Sequence, residues 1–183
     1  MIMKLENICL SVALLVAAPL AVAANPSSYI AADLGQSTSV DGCAGLSGSG
    51  SCKETDVALR VGFGYQLNNN IGFEFGYVDS GRATASNGSG VKATEIQFVG
   101  TGAIPLARKF SVTGRAGLSV WKLDADVITL NAEGRDFLVG AGVQYDLDSS
   151  LSFRAQYETH KVGTVVTGRH SLNMLSAGMI IKF

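Results

Sequence analysis

Seven charged residues lie within otherwise apolar stretches of the sequence, and their types allow them to pair with one another. The acidic members are Asp33, Glu74, Glu95 and Glu158, and the basic members are Arg60, Arg115 and Arg154. Charges withdrawn from water must be paired or hydrogen-bonded. We therefore expect a paired polar network in a protein interior, which also contains Gln66, Gln97, Gln144 and Gln156.

Alternation of apolar with small or polar residues indicates which elements position these charges. Between Val57 and Leu67 every second residue is large and apolar, whereas the positions between hold Ala58, Arg60, Gly62, Gly64 and Gln66. The stretch that begins at Leu151 repeats this pattern, with Arg154 on the polar face. A period of two residues is typical of β-strands with two different faces. The sequence therefore predicts that the charges share one face of a sheet.

Eight strands can be assigned in this way, and the first, at about 29–38, alternates least clearly. The apolar faces of the other seven begin at Val57, Ile71, Ile96, Phe110, Phe137, Leu151 and Leu175. Several glycines occupy the polar face, where they leave room for long charged side chains: Gly62, Gly64, Gly72, Gly76, Gly117, Gly140, Gly142 and Gly178.

The connections between the strands alternate in length. Three are tight turns, at 68–70, 107–109 and 148–150, and four are longer loops, at about 39–56, 81–89, 124–134 and 161–170. Short turns on one side and long loops on the other, with both termini on the short side, are typical of a transmembrane barrel. The short turns are predicted to face the periplasm.

The volumes of the two strand faces indicate which face points outward. An eight-stranded barrel has little interior room, so the bulky apolar set fits only outside, and a soluble lipocalin-like barrel is disfavoured. In a membrane, the opposite orientation would expose Arg60, Arg115 and Arg154 to hydrocarbon at roughly 2–4 kcal/mol each. Because an open sheet edge in lipid leaves unpaired backbone groups, the sheet must close. We predict an all-β fold, an eight-stranded antiparallel up-and-down transmembrane β-barrel.

Aromatic residues lie near both ends of the predicted strands, as in the interfacial girdles of membrane barrels. Those near the short turns are Tyr65, Phe73, Phe110, Tyr145, Phe153 and Phe183, and those near the long loops are Tyr77, Trp121, Phe137 and Tyr157. This placement supports the outward direction of the apolar face.

The amino-terminal segment differs in character from the rest of the chain. Residues 8–24 carry no charge, Lys4 precedes them, and Ala21-Val22-Ala23 offers the small residues that a signal peptidase requires. A retained membrane anchor is the alternative, but Pro19 and the small-residue end favour removal. We expect residues 1–24 to be a cleavable signal peptide and residues 25–183 to be one barrel domain.

Export determines the expected state of the cysteines. Cys9 leaves with the signal peptide, and Cys43 and Cys52 reach an oxidising compartment, where we expect them to form a disulfide. The bridge would close a small ring in the longest loop, either to present a binding surface or to protect a flexible tip. Two thiols without an adjacent histidine make a metal site less favourable.

Three segments carry a resemblance to a known family: 29–35, the run 61–67 that leads into 71–77, and the last strand, which ends at Phe183. With these segments the mature chain resembles the OmpA-like outer-membrane β-barrel family. The resemblance implies that Met179, Ile181 and Phe183 form the signal by which the barrel-assembly machinery recognises such proteins. Since the sequence stops at Phe183, we expect the peptidoglycan-binding domain of full-length members to be absent.

A structural or surface-interaction role, in envelope stability, adhesion or host contact, is the expected function. A narrow channel is one alternative, although eight strands are too few for an open diffusion pore. Some eight-stranded outer-membrane barrels modify lipid A with a histidine and a serine, and Glu158, His160, His170 and Ser171 invite that comparison. Because His170-Ser171 lacks the His-x-Ser spacing of those enzymes, we expect no enzyme and no catalytic residue.

The expected location is the outer membrane of a Gram-negative bacterium, and the expected partners follow from that location. They are outer-membrane lipid and lipopolysaccharide, the assembly machinery, and an extracellular ligand at the four long loops, which contain no basic cluster. A net charge of −1 offers nothing to nucleic acid. No cofactor is expected.

Overall fold

The computed structural model describes residues 27–40, 52–85, 90–125, 132–162 and 170–183. They form eight long antiparallel strands: β1 Ser27–Val40, β2 Thr55–Gln66, β3 Ile71–Ala85, β4 Gly90–Ala107, β5 Phe110–Ala125, β6 Ala132–Asp146, β7 Leu151–Val162 and β8 His170–Lys182. A two-residue strand, Cys52–Lys53, adds a short ladder to the end of β3. Nowhere in these ranges is there a helix long and apolar enough to cross a bilayer.

The sheet closes on itself. Each strand pairs with the next along the chain, and β1 pairs with β8 from Tyr29 opposite Lys182 to Val40 opposite Ser171. Closure leaves none of the eight long strands as a free edge in the bilayer, where unpaired backbone groups cost several kcal/mol each. The predicted eight-stranded antiparallel barrel is confirmed.

The register of the strands fixes their tilt. Following Cα partners around the barrel from Ser28 through β2 to β8 returns to β1 at Thr38, ten residues farther along. With this stagger over eight strands, the strands tilt about 40° from the barrel axis. Each residue then adds about 2.5 Å of height along the axis.

The outward faces form an apolar band of uniform height. On β5 the band runs from Phe110 to Val120, and Leu118 in its upper half is 53% exposed. This stretch of eleven residues, or ten steps of about 2.5 Å, is about 25 Å tall, the height of the lipid-facing band of outer-membrane barrels. Two other outward runs have the same length. One follows β2 from Val57 to Leu67, and the other follows β6 from Phe137 to Leu147. The prediction that the apolar face points outward is confirmed.

The strands continue past the apolar band on the long-loop side, so the predicted loop boundaries were wrong. β3 continues to Ala85 and β4 begins at Gly90, with Arg82 opposite Lys92. Alternation of side chains ends where the outward face meets water, but backbone hydrogen bonding between strands needs no apolar face and continues. Every predicted loop is shortened in this way: 39–56, 81–89, 124–134 and 161–170.

Two of the short turns share one geometry. Asn68 Oδ1 accepts hydrogen bonds from the backbone nitrogens of Asn70 (2.8 Å) and Ile71 (2.9 Å). Asp148 Oδ1 accepts the equivalent bonds from Ser150 (2.7 Å) and Leu151 (2.8 Å). These two donors lower the pKa of the exposed Asp148 carboxyl. Short polar side chains that accept bonds from the following backbone are a common way to fix tight turns.

Candidate functional site

The seven charged residues singled out in the sequence all point into the lumen. Each is at most 9% exposed, and each lies at least three residues inside its strand: Asp33, Arg60, Glu74, Glu95, Arg115, Arg154 and Glu158. Neighbouring inward positions carry Gly62, Gly76, Gly140 and Gly178. The charges therefore lie within the height of the membrane, shielded from lipid by the barrel wall.

Arg154 on β7 links two carboxylates from different strands, Asp33 on β1 and Glu74 on β3. Its Nε and Nη2 atoms lie 2.7 and 2.6 Å from the two oxygens of Asp33, a bidentate pair. Its Nη1 atom donates to Glu74 Oε2 at 2.6 Å. Since Glu74 lies on β3, four strands away in a ring of eight, this contact crosses the full width of the lumen. Tyr29 completes the group by donating from its hydroxyl to Glu74 Oε2 at 3.1 Å.

Arg115 and Arg60 extend the cluster toward the long-loop side. Arg115 on β5 donates to Glu74 Oε1 at 3.3 Å and to Gln156 Oε1 at 3.2 Å, and its Nε lies 3.6 Å from Glu158. Arg60 on β2 forms an ion pair with Glu158, and its Nη1 lies 3.7 Å from Asp33 Oδ2. Each guanidinium thus contacts carboxylates from more than one strand.

A second layer surrounds Glu95. Its carboxylate accepts hydrogen bonds from Ser80 at 2.9 Å, Ser119 at 2.7 Å and Gln97 at 3.1 Å. Gln97 also donates to Glu158 at 3.0 Å and so joins the two layers. His160 Nε2 lies 3.0 Å from Glu95 Oε2. We call His160 and the seven charged residues the lumen cluster.

His160 is the member that sequence reasoning did not place in the network. The sequence pairs four carboxylates with three guanidinium groups, which leaves one negative charge without a cation. His160, whose Nε2 atom lies beside Glu95, is the described side chain of this network that can carry the balancing positive charge. The signal was available, because His160 falls on the same alternating face as Arg154 and Glu158.

The residues compared with a lipid A-modifying site do not converge. Glu158 pairs with Arg60, and His160 lies beside Glu95 in the lumen. His170 and Ser171 are consecutive residues of β8, so their side chains point to opposite faces of the strand. Among the described residues, no three His, Cys, Asp or Glu side chains are grouped to hold a metal ion.

Apolar side chains cover the cluster on its long-loop side. Trp121, Val162 and Leu172 form a buried group inside the barrel, and Trp121 is 3% exposed. The assignment of Trp121 to the outer aromatic girdle is therefore wrong. Trp121 follows Arg115 by six residues, an even number, so both point inward. Gly134 leaves the space for its ring, because a Cβ there would overlap the indole.

The position of Trp121 gives a direct optical test, since it is the single tryptophan of the chain. We expect bromine-labelled acyl chains to quench its fluorescence only weakly, because the barrel wall separates the indole from lipid. A control chain with Trp121→Phe and Phe137→Trp moves the fluorophore to the outward face and should be quenched several-fold more strongly. Equal quenching of the two chains would contradict the inward assignment.

The remaining predicted sites lie at the two ends of the barrel. Met179, Ile181 and Phe183 point outward at the short-turn end, where Phe183 is 69% exposed. The Phe183 backbone nitrogen donates to the Ser28 carbonyl at 2.9 Å, which attaches the last residue to β1. Cys43 lies outside the described residues, as does the Cys52 side chain. The disulfide therefore stays a prediction.

The family model of the OmpA-like transmembrane domain matches residues 23–183. The chain belongs to this family. Outer membrane protein A of Yersinia pseudotuberculosis is 30% identical over 197 residues, which cover 99% of this chain and 56% of that protein. The protein of the same name from Escherichia coli O157:H7 is 30% identical over 193 residues, with 99% and 55% coverage. The chain thus spans about half the length of these curated relatives.

Solved structures of other barrels share the OmpA-like fold. Neisserial surface protein A aligns with a TM-score of 0.66 at 20% identity, over 87% of this chain and all of that one. The amino-terminal barrel of Pseudomonas aeruginosa OprF aligns with a TM-score of 0.60 at 11% identity, over 85% and 97%. The chain is an integral protein of the Gram-negative outer membrane.

Proposed function

We propose that this protein is a structural barrel with a sealed lumen, which presents its outer rim at the cell surface. The observation that carries the proposal is the separation of two internal cavities by the lumen cluster. One cavity opens toward the short turns, and the other opens toward the long loops. Asp33, Arg60, Glu74, Glu95 and Glu158 line neither cavity, because they fill the space between them.

The direction of the ion pairs supports a seal. A charge network that lined the wall of a pore would pair neighbouring strands and leave the axis open. Here Arg154 reaches from β7 to Glu74 on β3, and Arg115 reaches from β5 to Gln156 and Glu158 on β7. An ion moving along the axis would have to break several buried, charge-assisted contacts at once. The inward group of Trp121, Val162 and Leu172 adds an apolar layer next to the polar one.

The competing function is a narrow channel, and conductance measurements separate the two. The full chain, inserted into planar bilayers beside a porin standard, is expected to give no sustained conductance steps. Arg115→Ala is expected to lower stability rather than to open a conducting state, because the other guanidinium groups still cross the lumen. Stable steps in the wild-type chain, with ion selectivity altered by Arg115→Ala, would overturn the sealed barrel.

No catalytic role is proposed for His160, His170 or Ser171. His160 contacts Glu95 rather than a hydroxyl nucleophile, and His170 and Ser171 point to opposite faces of β8. The proposed partners on the membrane side are outer-membrane lipid, lipopolysaccharide and, through Met179, Ile181 and Phe183, the barrel-assembly machinery. The strand ends that extend past the apolar band form the surface available to an extracellular ligand.

A further inference from the structure

The cavity that opens toward the short turns, which we call the inner cavity, has a positively charged lining. Of the described side chains that line it, three are cationic, namely Arg115, Arg154 and Lys182, and none is a carboxylate. The cavity on the long-loop side differs, since Glu54 and Asp56 contribute to its wall. The inner cavity therefore offers an excess of positive charge to a ligand, and the outer one does not.

The closed end of the inner cavity is the surface of the lumen cluster that faces the short turns. Arg115 and Arg154 lie there, and they are 7% and 9% exposed. Both guanidinium groups contact Glu74 Oε1, and each Nη2 atom lies 3.3 Å from that oxygen. A shared carboxylate thus holds the two cations side by side. Because both side chains are already fixed, a ligand would not have to order them on binding.

Each of these two guanidinium groups retains one N–H group that has no acceptor among the described residues. A guanidinium has five N–H groups. Arg154 donates four of them to Asp33 and Glu74, which leaves one on Nη1. Arg115 donates from Nη1 to Gln156 and twice from Nη2, and its Nε lies 3.6 Å from a carboxylate, which also leaves one N–H on Nη1. Since both residues line the inner cavity, these donors are available to a ligand there.

Further hydrogen-bond donors follow the wall from the closed end to the mouth. Thr101, Thr113 and Gln144 line the cavity from three neighbouring strands, and hydroxyls and amides can donate to an anion without adding negative charge. Lys182 lies toward the mouth, because it is the last residue of β8. Its Nζ atom lies 2.9 Å from Asp146, which does not itself line the cavity. The ammonium group has three N–H donors, so this contact leaves others free.

We propose that the inner cavity binds a small oxyanion of the sulfate or phosphate class, with Arg115 and Arg154 at the closed end and Lys182 near the mouth. A tetrahedral oxyanion carries acceptors on all sides, which suits donors that converge from the closed end and from the wall. Guanidinium groups are favoured partners of such anions, and a cleft with walls of low dielectric strengthens the attraction. The anion would enter and leave on the short-turn side.

The test measures binding of inorganic sulfate to the folded full chain. The chain is prepared in alkyl maltoside micelles, which contain no phosphate, and is dialysed to equilibrium against radiolabelled sulfate at constant ionic strength. We expect saturable binding of one sulfate for each chain, with competition by inorganic phosphate. Binding that does not saturate, or that phosphate does not displace, would overturn the proposal.

Two pairs of variants locate the bound anion. Ala103→Leu fills the inner cavity from β4 and should weaken sulfate binding at least tenfold, whereas Ala155→Leu adds the same atoms to the outward face of β7 and should leave it unchanged. Lys182→Gln should weaken binding several-fold, and Lys109→Gln, in an exposed turn at the same end, should not. Heat-modifiable mobility on gels checks folding, and the lysine pair decides the outcome if leucine at 103 disturbs it. Equal affinities within the lysine pair would contradict the proposed site.

Arginine side-chain NMR gives an independent readout on the wild-type chain. The Nε–H resonances of Arg115 and Arg154 should shift as sulfate is added, whereas that of Arg60, which lines neither cavity, should shift much less. Equal shifts of all three would indicate a general salt effect and would overturn the site. The inference rests on the proposed function only because the lumen cluster forms the closed end. Conductance steps would overturn the seal, whereas failure to bind sulfate would overturn this site alone.

Discussion

Replacing Arg154 with alanine is expected to lower the free energy of unfolding by roughly 3–5 kcal/mol, the cost of removing one partner of a buried ion pair. Arg154 makes its shortest contacts, of 2.6 to 2.7 Å, with Asp33 and Glu74. After the substitution Asp33 keeps only longer contacts, to Gln156 at 3.4 Å and to Arg60 at 3.7 Å. A buried carboxylate that loses its partners retains its desolvation penalty, so the folded state loses more than the pair itself contributed.

The measurement is equilibrium unfolding by urea in lipid vesicles, followed by Trp121 fluorescence and by gel mobility. Arg108→Ala, in an exposed turn, is the matched control and should shift the unfolding free energy by less than about 0.5 kcal/mol. Adding Asp33→Asn to Arg154→Ala restores the charge balance of the lumen and should recover part of the loss. Wild-type stability of Arg154→Ala would show that the cluster contributes little to folding.

Gly178→Val is expected to destabilise the barrel by about 3 kcal/mol or more, through overpacking combined with disruption of a buried ion pair. A Cβ at Gly178 would overlap the Ala32 carbonyl oxygen and the Asp33 Oδ1 atom that binds Arg154. Because one of these atoms belongs to the backbone of β1, a rotamer change cannot relieve the clash. The substitution therefore acts on strand packing and on the cluster together.

Gly114→Val is the matched control for the same chemical change. Gly114 points outward on β5, and a Cβ there meets nothing within 4 Å. Valine at that position faces lipid, so its unfolding free energy should stay within about 1 kcal/mol of wild type. Vesicle-based urea titration distinguishes the two outcomes. Comparable losses in both variants would mean that valine disfavours these strands generally, and that the lumen face has no special need for glycine.

The fold was predictable because two independent patterns in the sequence agreed. Alternation from Val57 to Leu67 and from Leu151 onward marked strands with two faces, and the unequal lengths of the connections fixed the topology. The direction of the faces followed from volume, because bulky residues cannot fit inside eight strands. These are properties of single segments and of their order, and a sequence displays them directly.

The pairing inside the lumen was less predictable. Alternation within one strand decides which residues face inward. The stagger of all eight strands decides which inward residues contact one another. The contact of Arg154 with Asp33 joins residues 121 positions apart.

The assignment of Trp121 was wrong for a different reason. Its strand parity placed it in the lumen, but its residue type suggested a girdle. His160 was compared with a lipid A-modifying site, a comparison that was rejected, but it was not assigned to the charge network although its parity placed it in the lumen. In both cases position within the alternation was a better guide than chemical character. The ends of the long strands were also missed, because backbone pairing persists after side-chain alternation stops.

The lumen cluster and the apolar band both depend on the inward or outward orientation of alternate residues. The most direct measurement is photolabelling of the wild-type barrel with a carbene precursor dissolved among the acyl chains, followed by residue-level mass spectrometry of β7. We expect labels on Phe153, Ala155 and Tyr157 and none on Ser152, Arg154 and Gln156. Labelling of Arg154 and Gln156, with Phe153 unlabelled, would contradict it.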